Sequence, residues 1–165
     1  MAFKITNVKI SVKTSSFSLN NENLNNIVNI KKYDNFSVFK IKYTYVAFKT
    51  NKHGENHINI TNIPAIDLIQ DAIKILCDII PICVQSYKID NIIATYSMPK
   101  TINLHLLCEQ KVFKNIKYNN EKFPGLFIKE KCGTIIVFHS GKIVYVGCKT
   151  QEDIKWLHYQ VTVLI

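Results

Sequence analysis

The side chains with chemical potential in this chain are lysine, asparagine and phenylalanine, and they do not compose a catalytic set. The histidines (His53, His57, His105, His139, His158) and the cysteines (Cys77, Cys83, Cys108, Cys132, Cys148) are scattered, with no C-x-x-C pair. Metal sites draw on closely spaced, converging ligands, and secreted disulfide frameworks use even numbers of cysteines. The expectation is no metal, no cofactor and reduced cysteines in an intracellular protein. No nucleophile–base pair and no usefully spaced carboxylate pair stands out, so an enzyme is not expected. What remains is charge: a formal +9, carried by 21 basic residues that are all lysine. Such a balance attracts polyanions. Lysine makes point-charge contacts to phosphate, whereas the planar fork that reads guanine edges belongs to arginine. Major-groove readout by arginine is therefore excluded. Abundant Asn and Ile beside Lys suit an AT-rich coding genome.

These groups need a scaffold, and the chain shows it as a repeat. Phe3-Lys4-Ile5-Thr6-Asn7 reappears as Tyr87-Lys88-Ile89-Asp90-Asn91, Tyr33 to Phe36 as Tyr118 to Phe123, and Phe48 ends an alternating strand as Phe138 does. Residues 1–85 and 86–165 thus read as two repeats of one pseudo-symmetric domain. Each half opens with a strand (3–13; 87–97) and a short amphipathic helix (20–30; 102–111), continues with strands and closes with a longer helix. Residues 36–48 alternate like a hairpin with one wet face, as do 123–129 and 134–146 around a Ser140-Gly141 turn. The helix over 64–80 opens at Pro64 and aligns Ile66, Ile69, Ile73, Leu76 and Ile80. The last helix is expected to start at Thr150, which with Asp153 resembles a capping box, and to turn Ile154, Leu157 and Val161 inward. The order predicts an α+β fold with helices on one face of an antiparallel sheet and the other face open. No apolar run reaches the ~18–20 residues of a membrane span. The first residues alternate at once, as a strand does and a signal peptide does not.

On these residues the chain resembles the TATA-box-binding protein family. The resemblance is strongest over residues 118–149, through Phe-Pro-Gly at 123–125, Phe-x-Ser-Gly-Lys at 138–142 and Asn91 within Lys-Ile-x-Asn-Ile-Ile-Ala-Thr, and it runs weakly over the whole chain. It implies a saddle of two pseudo-repeats, with a curved antiparallel sheet, an open concave face and helices on the convex face. It also implies minor-groove binding in which phenylalanines wedge between base steps, here Phe36, Phe48, Phe123 and Phe138. Asn7 and Asn91 match the central asparagines that meet minor-groove acceptors. Lys42, Lys129 and Lys142 match basic residues at phosphates. Asn119, Glu121 and Lys122, just before Phe-Pro-Gly, occupy the surface that meets transcription factor IIB. The implied partners are AT-rich double-stranded DNA, a IIB-like factor and RNA polymerase, with no membrane, for a monomer or weak dimer. Composition and divergence suggest a large DNA virus, acting in the nucleus or in a cytoplasmic factory.

The departures fall mainly in the first half. Lys9 replaces a small apolar residue whose second-half counterpart is Ile93, and Asn59 replaces one whose counterpart, Val144, is retained. Thr61 keeps a hydroxyl that Val146 lacks. The loop between Phe36 and Phe48 is shorter than in the family, and the hairpin from Lys49 to Asn56 longer. The chain starts directly at its first strand. Two alternatives follow: an interaction module that keeps the fold without specific DNA binding, and an accessory domain of a nuclease or glycosylase, for which the catalytic domain is lacking.

Overall fold

Alternation of buried and half-open residues along β1 (Lys4–Thr14) sets the pattern for the whole chain: Val8, Ile10, Val12 and Thr14 are buried, and Asn7, Lys9, Ser11 and Lys13 face outward. A period of two can bury only one face of a sheet, so the other is left to polar or adaptable side chains. The structure is a computed structural model, and it describes residues 3–15, 17, 29–48, 56–110 and 112–165. The further strands are β2 (Lys31–Lys32), β3 (Phe36–Lys40), β4 (Thr44–Phe48), β5 (Asn56–Ile63), β6 (Val84–Ser97), β7 (Ile116–Lys117), β8 (Gly125–Glu130), β9 (Gly133–Phe138) and β10 (Lys142–Cys148). The described helices are α1 (Ile69–Ile79), preceded by a 3-10 turn at Ile66–Leu68, α2 (Leu104–Glu109) and α3 (Gln151–Thr162). The helix expected over 20–30 lies largely outside the described residues, as does most of the hairpin from Lys49 to Asn56.

Contacts divide the chain into two units. Asn7–Asp90 form the N-unit, and Met1–Thr6 with Asn91–Ile165 form the C-unit. Strands in the N-unit run in the order β2-β3-β4-β5-β1, and those in the C-unit in the order β7-β8-β9-β10-β6. Pairing within each order is antiparallel.

In the N-unit, Ile69, Ala72, Ile73 and Leu76 of α1 are buried with Ile58 and Ile60 of β5 and Tyr45 of β4. The Tyr45 hydroxyl donates to the carbonyl of Ala72, which satisfies a phenol held in an apolar layer. Pro64 precedes the helix rather than opening it, because Ala65 is extended and the 3-10 turn starts at Ile66. In the C-unit, Ile154, Leu157 and Val161 of α3 pack on β9 and β10. Its start matches the expectation: Thr150 Oγ1 accepts from the Asp153 N–H, and the Asp153 carboxylate accepts from the Thr150 N–H. Burial acts to raise the Asp153 pKa, but hydrogen bonds from the Lys149 and Thr150 N–H groups outweigh it and hold the pKa low.

Candidate nucleic-acid interface

In each unit the face opposite the helices carries most of the residues singled out above for DNA. In the N-unit, β1 contributes Asn7, Lys9 and Ser11, β5 contributes Asn59 and Thr61, and β3 and β4 contribute Phe36, Val38, Val46 and Phe48. Register sets Asn59 between Ser11 and Val46, and Thr61 opposite Thr44. In the C-unit the same lattice holds Asn91, Ile93 and Thr95 on β6, Val144 and Val146 on β10, Thr134, Ile136 and Phe138 on β9, and Phe127 and Lys129 on β8. Val144 lies between Thr95 and Ile136, so it is the counterpart of Asn59, as the sequence suggests.

The two asparagines occupy the same local structure. Ladder register breaks between Val8 and Ile10 in one unit and between Tyr145 and Cys148 in the other. At each break a residue has positive φ: Asn62 at 64° and Gly147 at 84°. Asn62 donates its N–H to Asn7 Oδ1 at 2.9 Å, and Gly147 donates its N–H to Asn91 Oδ1 at 2.7 Å. A backbone N–H can bond only to the oxygen of a carboxamide, so the orientation of both amides is fixed. Each side-chain NH2 is left to donate elsewhere.

The aromatic residues reach similar spacing by different routes. The Phe36 and Phe48 rings lie 5.9 Å apart at 45°, and the Phe123 and Phe138 rings 5.8 Å apart at 58°. By register, however, Phe36 pairs with Phe48 as Gly125, not Phe123, pairs with Phe138. A Cβ on Gly125 would lie 2.6 Å from the Phe123 ring and 3.1 Å from the Phe138 ring. The glycine therefore leaves the space into which Phe123 folds back, whereas Phe36 fills its own position and stacks on Tyr33 at 4.6 Å.

Lys42 departs from its expected place. It lies in the turn after β3, and its Nζ is 2.8 Å from Asp71 of α1. Tyr43 also donates to that carboxylate, at 2.7 Å. The hydrogen bond to Asp71 raises the Lys42 pKa, and the bonds from Lys42 and Tyr43 lower that of Asp71. The register counterpart of Lys129 is Lys40: Lys40 pairs with Thr44, and Lys129 with Thr134. Sequence reasoning missed Lys40 because it aligned Phe36 with Phe123, whereas register aligns Phe36 with Gly125, two residues further on. Lys129 and Lys142 are both exposed.

The N-unit face is the more polar of the two. Ser11 Oγ lies 2.9 Å from the Asn59 side-chain amide and closer still to the Asp90 carboxylate. The atom that faces Ser11 is Asn59 Oδ1, an acceptor like the Asp90 carboxylate, so the two oxygens compete for the single hydroxyl proton. Lys88 Nζ lies 3.7 Å from Asp90. Before Phe123, Asn119 Oδ1 accepts the N–H groups of Glu121 and Lys122, and its carbonyl accepts that of Phe123. Asn119 thereby shapes the turn that carries Phe123, while the side chains of Glu121 and Lys122 are exposed.

Residues 86–163 match the sequence model of the family described as transcription factor TFIID, or TATA-binding protein. The TATA-box-binding protein of Methanothermobacter thermautotrophicus is 40% identical over 70 residues, 41% of this chain and 38% of that protein. That of Thermoplasma volcanium is 28% identical over 122 residues, 69% of this chain and 64% of that protein. The solved Methanococcus jannaschii TBP superposes with a TM-score of 0.82 at 24% identity, over 98% of this chain and 96% of that one. Fold and repeat together define a two-repeat α+β domain of the TATA-binding type. Residues 86–163 carry the sequence signature of the TATA-binding protein family, and the chain as a whole carries its fold.

Proposed function

We propose that this protein is a transcription initiation factor that binds AT-rich duplex DNA through the minor groove, bends it, and presents it to a IIB-like factor and RNA polymerase. The observation that carries this reading is the matched pair Asn7 and Asn91, whose oxygens are taken by backbone N–H groups and whose NH2 groups remain as donors. The minor groove at A·T pairs offers only acceptors, adenine N3 and thymine O2. A donor of fixed orientation in each unit fits that pattern. Phe36 with Phe48, and Phe123 with Phe138, supply apolar wedges; Phe123 is 38% exposed although a phenylalanine is usually buried. Lys40, Lys129 and Lys142 supply phosphate contacts. The chemistry is binding and deformation, without catalysis, in the nucleus or a viral cytoplasmic factory.

The test is energy transfer across an end-labelled AT-rich duplex, with a GC-rich control, over a salt series. Expected are end-to-end shortening, weaker binding to the control, and loss of the bend in Phe123→Ala and Phe138→Ala with the fold retained. An unchanged bend in both variants would refute the wedge assignment. One observation favours a second reading, an interaction module without specific DNA binding. The Asp90–Ser11–Asn59 network sets a carboxylate beside the N-unit face, where a polyanion would be repelled. Capture of general transcription factors without measurable duplex affinity would support that alternative.

A further inference from the structure

Away from the asparagines, the outer edge of the C-unit holds a groove of about 1260 Å³. Its walls come from the 112–117 segment, the β8–β9 connection and α3. The apolar part includes Val112 and Trp156, which are 60% and 46% exposed. Exposed surface of this kind continues along α3 through Tyr159 and Val163, which fall on the same arc of the helix as Trp156. Among the described residues, four lysines line the groove (Lys114, Lys117, Lys129 and Lys131), against a single acid, Glu130.

We infer that this groove docks an acidic protein segment bearing bulky apolar side chains. Two features select that occupant. The lysines call for negative charge, and such complementarity governs partner choice and encounter rate. The exposed indole and valine call for apolar anchors, because a contiguous exposed apolar patch beside a pocket marks a contact surface and aromatic anchors dominate such contacts. A phosphate backbone would meet the lysines but leave Trp156 and Val112 without an apolar partner. The inference is independent of Asn7, Asn91 and the phenylalanine pairs.

Trp156 is the chain's one tryptophan, so its fluorescence reports on the groove directly. The probe is a synthetic peptide of about 15 residues that alternates Asp or Glu with Phe and Leu, titrated into the full chain. A saturable blue shift is expected. Binding should weaken roughly tenfold or more when the acids become Asn and Gln, and again when Phe and Leu become Ala. Lys117→Glu with Lys131→Glu should weaken it similarly with no change in melting temperature. Lack of a shift overturns the inference, as does a shift that survives removal of the apolar side chains. An equal shift with a short DNA duplex in place of the peptide would assign the groove to nucleic acid and overturn it too.

Discussion

Replacing Asn91 by aspartate separates the residue's part in the fold from the DNA contact proposed for it. In the folded chain Asn91 Oδ1 accepts the Gly147 N–H at 2.7 Å. A carboxylate accepts the same bond, now charge-assisted, so stability should stay within about 1 kcal/mol of the parent. The other end of the side chain changes from an NH2 donor to an anionic acceptor. Facing minor-groove acceptors, it forfeits one hydrogen bond and leaves a charge unpaired, for a loss of about 2 kcal/mol or more. That corresponds to at least roughly thirtyfold in affinity. The assay is fluorescence anisotropy of a labelled AT-rich duplex at two salt concentrations, beside thermal unfolding of the same samples. Long-range repulsion is screened by salt and a local clash is not, so the deficit should persist at the higher salt. Wild-type affinity in Asn91→Asp would remove Asn91 from the interface. A fall in melting temperature matching that of Asn91→Ala would show that its role is only to hold the bulge.

Two further outcomes follow from the geometry. Lys40→Ala should reduce the slope of log K against log salt by about 0.9, the value for one neutralised phosphate, whereas Lys42→Ala should leave the slope unchanged because Lys42 is paired with Asp71. Burial holds His158 below its ordinary pKa, with Tyr145 Oη 2.7 Å from its Nδ1. The phenol pKa is itself pushed up by burial, so Tyr145 stays protonated and donates. The unfolded chain then takes up the proton more readily than the folded one. Stability should be full above about pH 6.5 and fall as the pH drops below it toward the folded value. Urea midpoints across that range should show this slope in the parent and a smaller one in His158→Gln.

The sequence made the C-unit legible and the N-unit only in outline. Phe-Pro-Gly, Ser-Gly-Lys and the Thr150–Asp153 box are local chemistry, each tied to one turn or cap, so their positions survive into the structure. Counterparts defined by register were harder to read. Phe36 stands opposite Phe48 where Gly125 stands opposite Phe138, so aligning Phe36 with Phe123 displaced the expected lysine by two, from 40 to 42. Side-chain period in a strand is two, so an error of one or two positions changes the face or the partner without disturbing the pattern. Nothing local marks Asn62 as a residue of positive φ, since asparagine also sits comfortably in an ordinary strand turn. The groove was invisible because its walls come from segments some 40 residues apart.

The contact boundary between the units falls at residues 6/7 and 90/91, not at the repeat boundary between residues 85 and 86. Phe3 belongs to the C-unit, where its ring meets Tyr145 and His158 edge-on, and Thr6 Oγ1 donates there to the Ile93 carbonyl. A gene fragment encoding only the second repeat would therefore produce a chain missing the first residues of its own contact unit. During synthesis those residues leave the ribosome well before Ile93, Tyr145 and His158, their partners in the C-unit. The sequence repeat and the contact units thus draw their lines in different places along this polypeptide. An engineer wishing to isolate the second unit would do better with a circular permutant, carrying the opening residues behind Ile165, than with a simple truncation.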